Sequence, residues 1–495
     1  MRIRAFEFSF RHSWAIVGLI LVACADGGGE GSSPNTSSAE TQSNPTPGIS
    51  SLSPSSAVAG ADAQTLTVNG SGFITGSAVT YNGAAQTATY VSASELTIQL
   101  SAADQVTAGS YPVAVTNPAP GGGASTSVDF TVTVPAASLA LLVGGVFHGV
   151  ERLTPYKVLN SAELFDSNSG TFTSVGTMTA ARFLPAAVAL PKGANVLVAG
   201  GSSSTGNGTA LNSAELYDVS QQTFTEIGNM NCEFQGDIMA ALSNDEILIF
   251  GGVVNETGKS NCAEIYNPGT GSFSLTGSLP TQSVDGAAMA YAVLKNGQVL
   301  VVGGASPEGY VNTAQLYDPS TGMFTPTGNM TTSRGYATAT LLKNGMVLVT
   351  GGQADCCMSV NTAELYDPNT GTFASTNGPM SAARSFHTAT LLPNGSVLIA
   401  GGIESPTSPG NVASAELYNS LTGTFSLTGS MSVGRAWHTA ILLTDGLVLV
   451  AGGATYGQWG SATNSADLYN PSTGTFAPTG TLTTARFAAA AVSIQ

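Results

Sequence analysis

Two short clusters in the C-terminal part of the 495-residue chain bring aromatic, guanidinium and imidazole side chains together. Both read Arg, a small residue, an aromatic residue and His, and they lie 51 residues apart. Their members are Arg384, Phe386, His387, Arg435, Trp437 and His438. Flat aromatic rings beside hydrogen-bonding groups suit a sugar, because a sugar ring has an apolar face while its hydroxyl groups bond at the edge.

Tyr456 and Trp459 are expected on the same surface, which makes them candidate ligand-binding residues as well. They follow the strand that pairs with the one opened by the second cluster, and antiparallel pairing brings those two ends to one edge. Two alternatives stay open: the arginines are structural members of a repeat, or the three histidines, including His148, bind a transition metal. Our prediction assigns no catalytic residue, no metal and no cofactor, and it leaves enzymatic activity uncertain with a preference for none.

A repeat of about 50 residues must position these clusters. A double glycine recurs at steps of 48 to 56 residues. The pairs begin at Gly144, Gly200, Gly251, Gly303, Gly351, Gly401 and Gly452. Each copy reads as four short strands with turn signals such as Asn394-Gly395 between them. Seven such units, none able to bury its faces alone, predict a seven-bladed β-propeller that the C-terminal strand pattern closes by joining the first blade.

Paired aromatic residues mark the third and fourth strands of every copy, seven residues apart. The pairs are Phe165 and Phe172, Tyr217 and Phe224, Tyr266 and Phe273, Tyr317 and Phe324, Tyr366 and Phe373, Tyr418 and Phe425, and Tyr469 and Phe476. The double glycine, a following acid and these pairs resemble the kelch repeat, with Phe where that family usually carries Trp. The resemblance implies an all-β kelch propeller over residues 137–495.

An acidic residue stands two positions before the third-strand aromatic in most copies. These positions hold Glu163, Glu215, Glu264, Glu364 and Glu416, with Gln315 and Asp467 as variants. Catalytic groups are rarely repeated in every blade, so we interpret the acids as structural and paired with the recurring arginine. Copper radical oxidases such as galactose oxidase, and sialic acid epimerases of kelch type, remain enzyme alternatives. The copper ligands of the former cannot be placed here, since the chain has no Tyr-His dipeptide.

The N-terminus has the pattern of a targeting segment. Arg2, Arg4 and Arg11 precede a short apolar stretch, and Leu21-Val22-Ala23-Cys24 resembles a bacterial lipobox. We predict a lipoprotein signal peptide at residues 1–23, lipidation of Cys24, and a disordered tether over residues 24–46. The expected location is the bacterial cell envelope, at the outer membrane or cell surface, with the lipid anchor as the only membrane contact. The net charge of −16 argues against nucleic acid as a partner.

Residues 47–135 alternate short strand patterns with turn signals, which predicts a small β-sandwich. Gly70-Ser-Gly-Phe73, Val79-Thr-Tyr-Asn-Gly83 and Phe130-Thr-Val-Thr-Val134 resemble segments of an IPT/TIG immunoglobulin-like domain. The resemblance implies a spacer or a protein-contact module.

Cys232 and Cys262 are expected on the same face of the array, and we predict a disulfide between them, consistent with export. Cys356 and Cys357 are adjacent, and a vicinal disulfide is slightly favoured there. The sequence as a whole favours a non-enzymatic binding protein for extracellular polysaccharide or a protein partner. An envelope-bound carbohydrate-active enzyme and a purely structural surface protein are the alternatives, and the oligomeric state is not predicted.

Overall fold

A computed structural model of the chain describes residues 42–133, 137–149, 155–191, 195–205, 209–251, 261–279, 285–306, 308–354, 358–404, 410–455 and 460–494. The chain divides into two compact units, the first ending at Val134 and the second beginning at Pro135. Apart from one 3-10 helix, η1 (Ala102–Gln105), the regular structure of these residues is β-strand. The predicted all-β class is therefore confirmed. Within the described residues, no helix is long and apolar enough to cross a membrane.

The first unit is a sandwich of two sheets. Its strands are β1 (Gly48–Ser53), β2 (Ser56–Val58), β3 (Gln64–Ser71), β4 (Ala78–Tyr81), β5 (Ala84–Gln86), β6 (Ala88–Ser92), β7 (Glu95–Leu100), β8 (Gly109–Asn117), β9 (Gly123–Ala124) and β10 (Val128–Thr133). One sheet has the order β1-β3-β7-β6 and the other β2-β10-β8-β4-β5, with β9 on the edge of β8. Alternate residues such as Leu66, Val68, Val115 and Phe130 are fully buried between the sheets, which gives the period of two that the sequence shows.

The second unit is built from strands that follow one another as four-stranded antiparallel sheets. The strands are β11 (Leu139–Val143), β12 (Val146–Phe147), β13 (Lys157–Val158), β14 (Ser161–Asp166), β15 (Thr171–Thr177), β16 (Ala186–Ala189), β17 (Asn195–Ala199), β18 (Leu211–Asp218), β19 (Thr223–Phe234), β20 (Asp237–Ala241), β21 (Ile247–Gly251), β22 (Ala263–Asn267), β23 (Ser272–Leu275), β24 (Asp285–Val293), β25 (Val299–Ser306), β26 (Gly309–Tyr310), β27 (Ala314–Asp318), β28 (Met323–Pro326), β29 (Thr338–Leu341), β30 (Val347–Thr350), β31 (Ala363–Asp367), β32 (Thr372–Ser375), β33 (Thr388–Leu391), β34 (Val397–Ala400), β35 (Ser414–Asn419), β36 (Thr424–Ser430), β37 (Thr439–Leu442), β38 (Val448–Ala451), β39 (Ala466–Asn470), β40 (Thr475–Pro478) and β41 (Ala490–Ile494).

The blades, numbered in chain order, have their strands arranged from the inside outward. Blade one is β41-β11-β14-β15, and blades two and three are β16 to β19 and β20 to β23. Blade four is β24, β25, β27 and β28 with β26 at the side, and blades five, six and seven are β29 to β32, β33 to β36 and β37 to β40. The innermost strands β16, β20, β24, β29, β33, β37 and β41 contact one another in that order, and β41 contacts β16 again. This closed ring is the β-propeller fold that the repeats predict.

Blade one joins the two ends of the array. Strand β11 pairs with β41 in antiparallel register, with Leu141 opposite Val492. On its other side β11 pairs with β14, where Leu141 lies opposite Leu164. The last strand therefore covers the edge that β11 would otherwise present to solvent, which removes a template for unwanted strand pairing.

The paired aromatics form a recurring contact between the two outer strands of each blade. Tyr418 on β35 lies opposite Phe425 on β36. In all seven pairs the ring centroids are 4.8 to 5.0 Å apart. In several blades the tyrosine hydroxyl also bonds a threonine of the preceding blade, as between Tyr469 and Thr428 at 2.9 Å. The seven-residue spacing thus reflects the contact within a blade, and the tyrosine of the pair adds a hydrogen bond to the neighbouring blade.

The double glycine is required by the backbone where neighbouring segments cross. Gly401 has a φ of 68°, and a Cβ atom there would lie 2.5 Å from the carbonyl oxygen of Arg435. Gly402 has a φ of 101°, and its Cβ would lie 2.7 Å from the carbonyl oxygen of Ser385. Only glycine meets both conditions without strain. The pair therefore brings the end of the second strand against the two segments that carry the Arg-aromatic-His clusters.

Candidate functional site

The recurring arginines are buried and bonded to the recurring acids. Arg384 donates from Nη1 to the carbonyl oxygens of Gly401 and Ser414, each at 2.9 Å, and from Nη2 to Glu416 at 3.0 Å. Equivalent ion pairs lie between 2.6 and 3.1 Å. They join Arg182 to Glu215, Arg334 to Glu364, Arg435 to Asp467, and Arg486 to Glu163. The predicted pairing of repeat arginine and repeat acid is confirmed.

This arrangement changes the set of candidate ligand-binding residues. Arg384 and Arg435 are 0% exposed, and their guanidinium groups are held by carbonyl, hydroxyl and carboxylate oxygens of their own blades. A ligand has no surface of either side chain to contact. We therefore remove both from the candidate site and interpret them as members of the repeat.

A second repeat position lies two residues after each of these arginines and has a left-handed backbone. The φ angles there are between 52° and 55°. The residues are Leu184, Tyr336, Phe386, Trp437 and Ala488. Bulky residues rarely adopt this conformation, which costs roughly 1–2 kcal/mol per residue. Five blades therefore place a residue with a side chain in this conformation. In blade three the corresponding residue is Gly236, with a φ of 71°, which shows that glycine also fits.

Backbone hydrogen bonds link these positions from blade to blade. The amide of Ala488 donates to the carbonyl of Trp437 at 2.9 Å, Trp437 to Phe386 at 3.1 Å, and Phe386 to Tyr336 at 3.3 Å. Tyr336 continues the series by donating to Ala288 at 2.9 Å, and Gly236 donates to Leu184 at 3.3 Å. We call the seven positions the mouth ring. Its members are Leu184, Gly236, Ala288, Tyr336, Phe386, Trp437 and Ala488.

The mouth ring is aromatic on three consecutive blades and mostly small on the others. Phe386 and Trp437 stack with centroids 4.4 Å apart and an interplanar angle of 28°. Tyr336 extends the group, with its ring 4.2 Å from that of Phe386. Beside these rings lies a cavity of about 270 Å³, also lined by Leu184, Gly236 and Ala488. Tyr336, Phe386 and Trp437 thus form one wall of this cavity, which we call the aromatic wall.

The two cluster histidines lie below the aromatic wall and are neutral. His387 and His438 are only 5% and 7% exposed. The Nε2 atom of His387 is 3.1 Å from the hydroxyls of Thr338 and Thr350, and that of His438 is 2.9 Å from Thr388. Burial, followed by the charge of the nearby Arg384 or Arg435, lowers the pKa of each histidine to about 3. Both imidazoles are therefore uncharged at neutral pH.

Comparison with known families identifies both units. Residues 47–132 match the IPT/TIG domain, and residues 186–402 match the KLHDC2/KLHL20/DRC7 Kelch-repeats domain. The chain carries an IPT/TIG domain followed by a kelch-repeat domain. No curated protein matches the chain.

Two solved structures are similar to the chain at low sequence identity. A novel fungal alcohol oxidase of the AA5 family, in complex with copper, is 19% identical with a TM-score of 0.51, and the match covers 65% of this chain and 70% of that one. The structure of YjhT is 16% identical with a TM-score of 0.48, covering 60% of this chain and 97% of that one. At these identities the likeness concerns the fold alone.

The remaining predicted site residues fall into two groups. Tyr456, Trp459 and the predicted lipidation site Cys24 lie outside the described residues, as do Cys356 and Cys357. The sulfur atoms of Cys232, near the end of β19 in blade two, and Cys262, just before β22 in blade three, are bonded to each other.

The three histidines do not form a metal centre in the part of the kelch domain that the structure describes. His148 stacks on Tyr156 with ring centroids 4.2 Å apart, whereas His387 and His438 bond threonines. Among the described residues, the one group of three or more potential ligand atoms consists of Cys232, Cys262 and Glu264, without a histidine.

The sequence did not predict Tyr336, Leu184 or the other mouth-ring residues that lie in blades without an aromatic-His cluster. The signal was present, because each left-handed residue follows its arginine by two positions. An alignment of the copies on that arginine places Tyr336 with Phe386 and Trp437. The left-handed backbone itself has no signature in residue type, since the position holds Leu, Tyr, Phe, Trp and Ala.

The buried histidines predict that acid destabilises the kelch domain. Their pKa is about 3 in the folded chain and about 6.5 when unfolded. Between these values the unfolded chain binds protons that the folded chain does not, so stability is lost as the pH falls below about 6.5. The free energy of unfolding should decrease between pH 7 and pH 5 in the parent and in His387→Gln, and denaturant titration measures both decreases. The decrease should be smaller by about 2 kcal/mol in His387→Gln, because that variant lacks one of the two titrating histidines. An equal fall in both proteins would contradict this assignment.

Proposed function

We propose that this protein is an exported, lipid-anchored binding protein whose kelch domain recognises a saccharide at the mouth ring. The observation that carries the proposal is the aromatic wall beside an open cavity. Tyr336 and Trp437 are partly exposed there, and Phe386, only 6% exposed, packs between them. Apolar ring surface next to backbone polar groups is what a pyranose face requires. Extracellular polysaccharide would supply such a ligand.

The cost of the left-handed backbone supports a binding role for the wall. Three large residues occupy a conformation that is expensive for them, although Gly236 shows that the ring accepts a residue without a side chain. Burial of Phe386 against Ile403 and Ala436 offsets part of this cost. Trp437 keeps an exposed part and stacks on Phe386. Their stacking offsets part of the cost, since aromatic pairs contribute about 0.5–1.5 kcal/mol beyond burial. The arrangement fixes the rings at the cavity before a ligand arrives.

The charge and the volume of the cavity restrict the class of ligand that it can bind. The residues lining the cavity include no Lys, Arg, Asp or Glu, and the two lining histidines are neutral. A ligand with a full charge would lose hydration without gaining a counter-charge from these residues. The volume of about 270 Å³ lies at the small end of ligand cavities. An uncharged ring at the end of a glycan fits this site better than an acidic sugar or an internal chain segment.

Trp437→Ala is expected to weaken saccharide binding by about tenfold, because the variant removes a stacking face worth about 0.5–1.5 kcal/mol beyond its area. The measurement is calorimetric titration of the full chain with neutral methyl glycosides, with pull-down on insoluble polysaccharides alongside. Tyr90→Ala is the matched control, since Tyr90 is 38% exposed in the IPT/TIG domain. If Trp437→Ala binds the saccharide as well as the parent does, the mouth ring is not the binding site. Absence of binding in the parent would favour a protein partner or a purely structural role.

Export and anchoring rest on the N-terminal pattern, with the bonded Cys232 and Cys262 in support, since disulfides persist in oxidising compartments. Cells that express the full chain and are fed a labelled fatty acid should incorporate the label into this protein. Cys24→Ala should abolish the incorporation and release the protein from the membrane fraction. Label retained in that variant would refute lipidation at Cys24.

A carbohydrate-active enzyme is the second candidate, supported by the fold likeness to the AA5 alcohol oxidase. The described residues do not fit a copper centre of imidazoles, because His387 and His438 are bonded to threonines and His148 stacks on Tyr156. Turnover of a bound sugar that disappears in a variant retaining affinity would move the assignment from binding protein to enzyme.

A further inference from the structure

Blade three departs from the repeat at the arginine. In five of the other six blades the arginine follows a buried Met or Leu by four residues, as Arg182 follows Met178 and Arg384 follows Met380. Blade four lacks both partners, since it has Ser283 at the arginine position and Gln315 at the acid position. Four residues after Met230 the chain has Phe234 instead. The acid is nevertheless kept: Glu264 stands where Glu215 and Glu416 stand in their blades, and it is 0% exposed. Blade three thus holds the carboxylate without its usual cation.

Neutral donors surround Glu264. Its carboxylate accepts from the backbone amide of Asn231 at 2.9 Å, from Asn231 Nδ2 at 2.7 Å and from the amide of Cys232 at 2.6 Å. No Lys, Arg or His of the described residues forms an ion pair with it. Hydrogen bonds satisfy the oxygen atoms, but the negative charge is not balanced locally, and a buried unbalanced charge favours a cation.

Two sulfur atoms lie beside this carboxylate. The Sγ atoms of Cys232 and Cys262 and a carboxylate oxygen of Glu264 all lie within 4.8 Å of one another. Both cysteines are partly exposed, so small reagents reach them. As long as the sulfurs are bonded to each other they are poor metal ligands, because metals bind the thiolate. Reduction would change the same three residues from a covalent link into a donor set.

We propose that the reduced chain binds a divalent zinc-type cation through Cys232, Cys262 and Glu264. A phosphine reductant breaks the sulfur–sulfur bond by a two-electron step that yields two thiols and a phosphine oxide, with water supplying the oxygen and the two protons. Zinc then replaces one proton on each thiol and binds the carboxylate, and two protons are released. Two thiolates and a carboxylate are ordinary zinc ligands, and a tetrahedral site would keep its fourth position for water.

The cation would give Glu264 a positive partner, as the guanidinium does in the five blades that have an Arg–acid pair. A zinc ion with two thiolates and one carboxylate carries one net negative charge, the same as Glu264 beside two thiols, because two protons leave when the metal binds. Oxidation and metal occupancy exclude each other, since both use the same sulfur atoms. Whether the site holds a disulfide or a metal ion therefore depends on the redox conditions to which the chain has been exposed.

The test uses the full chain with Cys24, Cys356 and Cys357 replaced by Ser, so that only Cys232 and Cys262 of its five cysteines remain. After phosphine reduction without oxygen and desalting, zinc titration should give one zinc per chain, and cobalt should give a thiolate charge-transfer band. The oxidised chain should bind none. Cys232→Ser should abolish the band, and Glu264→Gln should weaken zinc binding about tenfold or more.

Glu364→Gln is the matched control, because this acid of blade five is paired with Arg334 and is not a predicted ligand. Its zinc affinity should equal that of the parent. Circular dichroism on each reduced protein separates loss of the site from loss of the fold. A reduced, folded parent that binds no zinc overturns the proposal, as does equal affinity in Glu264→Gln and Glu364→Gln.

Discussion

Replacing Arg384 by methionine is expected to lower the free energy of unfolding of the kelch domain by about 3–5 kcal/mol. The substitution leaves Glu416, which is 1% exposed, as a buried carboxylate without its counter-charge. It also leaves the carbonyl oxygens of Gly401 and Ser414 without the Nη1 donor. Denaturant unfolding followed by tryptophan fluorescence measures the change, because Trp437 lies in the same domain.

Two further variants separate the ion pair from a general effect of substitution. Lys157→Met replaces an exposed cation and should change stability by no more than about 0.5 kcal/mol. Arg384→Met combined with Glu416→Leu should recover much of the loss, because apolar replacement of both members of a buried pair is often close to neutral. An Arg384→Met protein as stable as Lys157→Met would show that the pair contributes nothing net.

The repeat structure was predictable because each contact recurs. The double glycines and the aromatic pairs appear at fixed spacing in every copy, and the coupling of arginine to acid appears in five of the seven. A contact that is repeated from blade to blade leaves a residue at the same position of each copy that has it. Arg384 and Arg435 were nevertheless placed among the ligand-binding residues. Their spacing shows that they recur, but spacing does not show which way a guanidinium turns. The carbonyl oxygens of Gly401 and Gly452, which fix that direction, carry no side-chain signal.

The candidate site was predictable only in part, for a different physical reason. Phe386, His387, Trp437 and His438 stand out by residue type, and all four line the cavity. The mouth ring that positions them depends on a left-handed backbone and on hydrogen bonds between main-chain atoms, neither of which requires a particular residue type. The candidate site lies where the residue type differs between copies of the repeat. It is therefore found from the differences between the aligned copies and not from what they share.

Blade three keeps the acid of the repeat without its arginine, and the disulfide between Cys232 and Cys262 is the second large stabilising feature. With Phe234 at the arginine position, the segment before β20 lacks the guanidinium that ties the corresponding segment to its blade in blades one, two, five, six and seven. The bond between Cys232 and Cys262, 30 residues apart, supplies a covalent link between the end of β19 and the segment before β22. We interpret the disulfide as the replacement for the missing ion pair.

Cys262→Ser is therefore expected to destabilise the kelch domain by about 3–4 kcal/mol under oxidising conditions, the cost that the chain-entropy relation gives for opening a loop of this length. Denaturant unfolding with a chelator present, so that metal does not contribute, measures the difference. In a phosphine reductant the parent loses the link too, and the parent and Cys262→Ser should then differ by less than about 1 kcal/mol. A deficit of the same size in both conditions would mean that the variant disturbs packing around Glu264 and that the covalent bond is not what stabilises blade three.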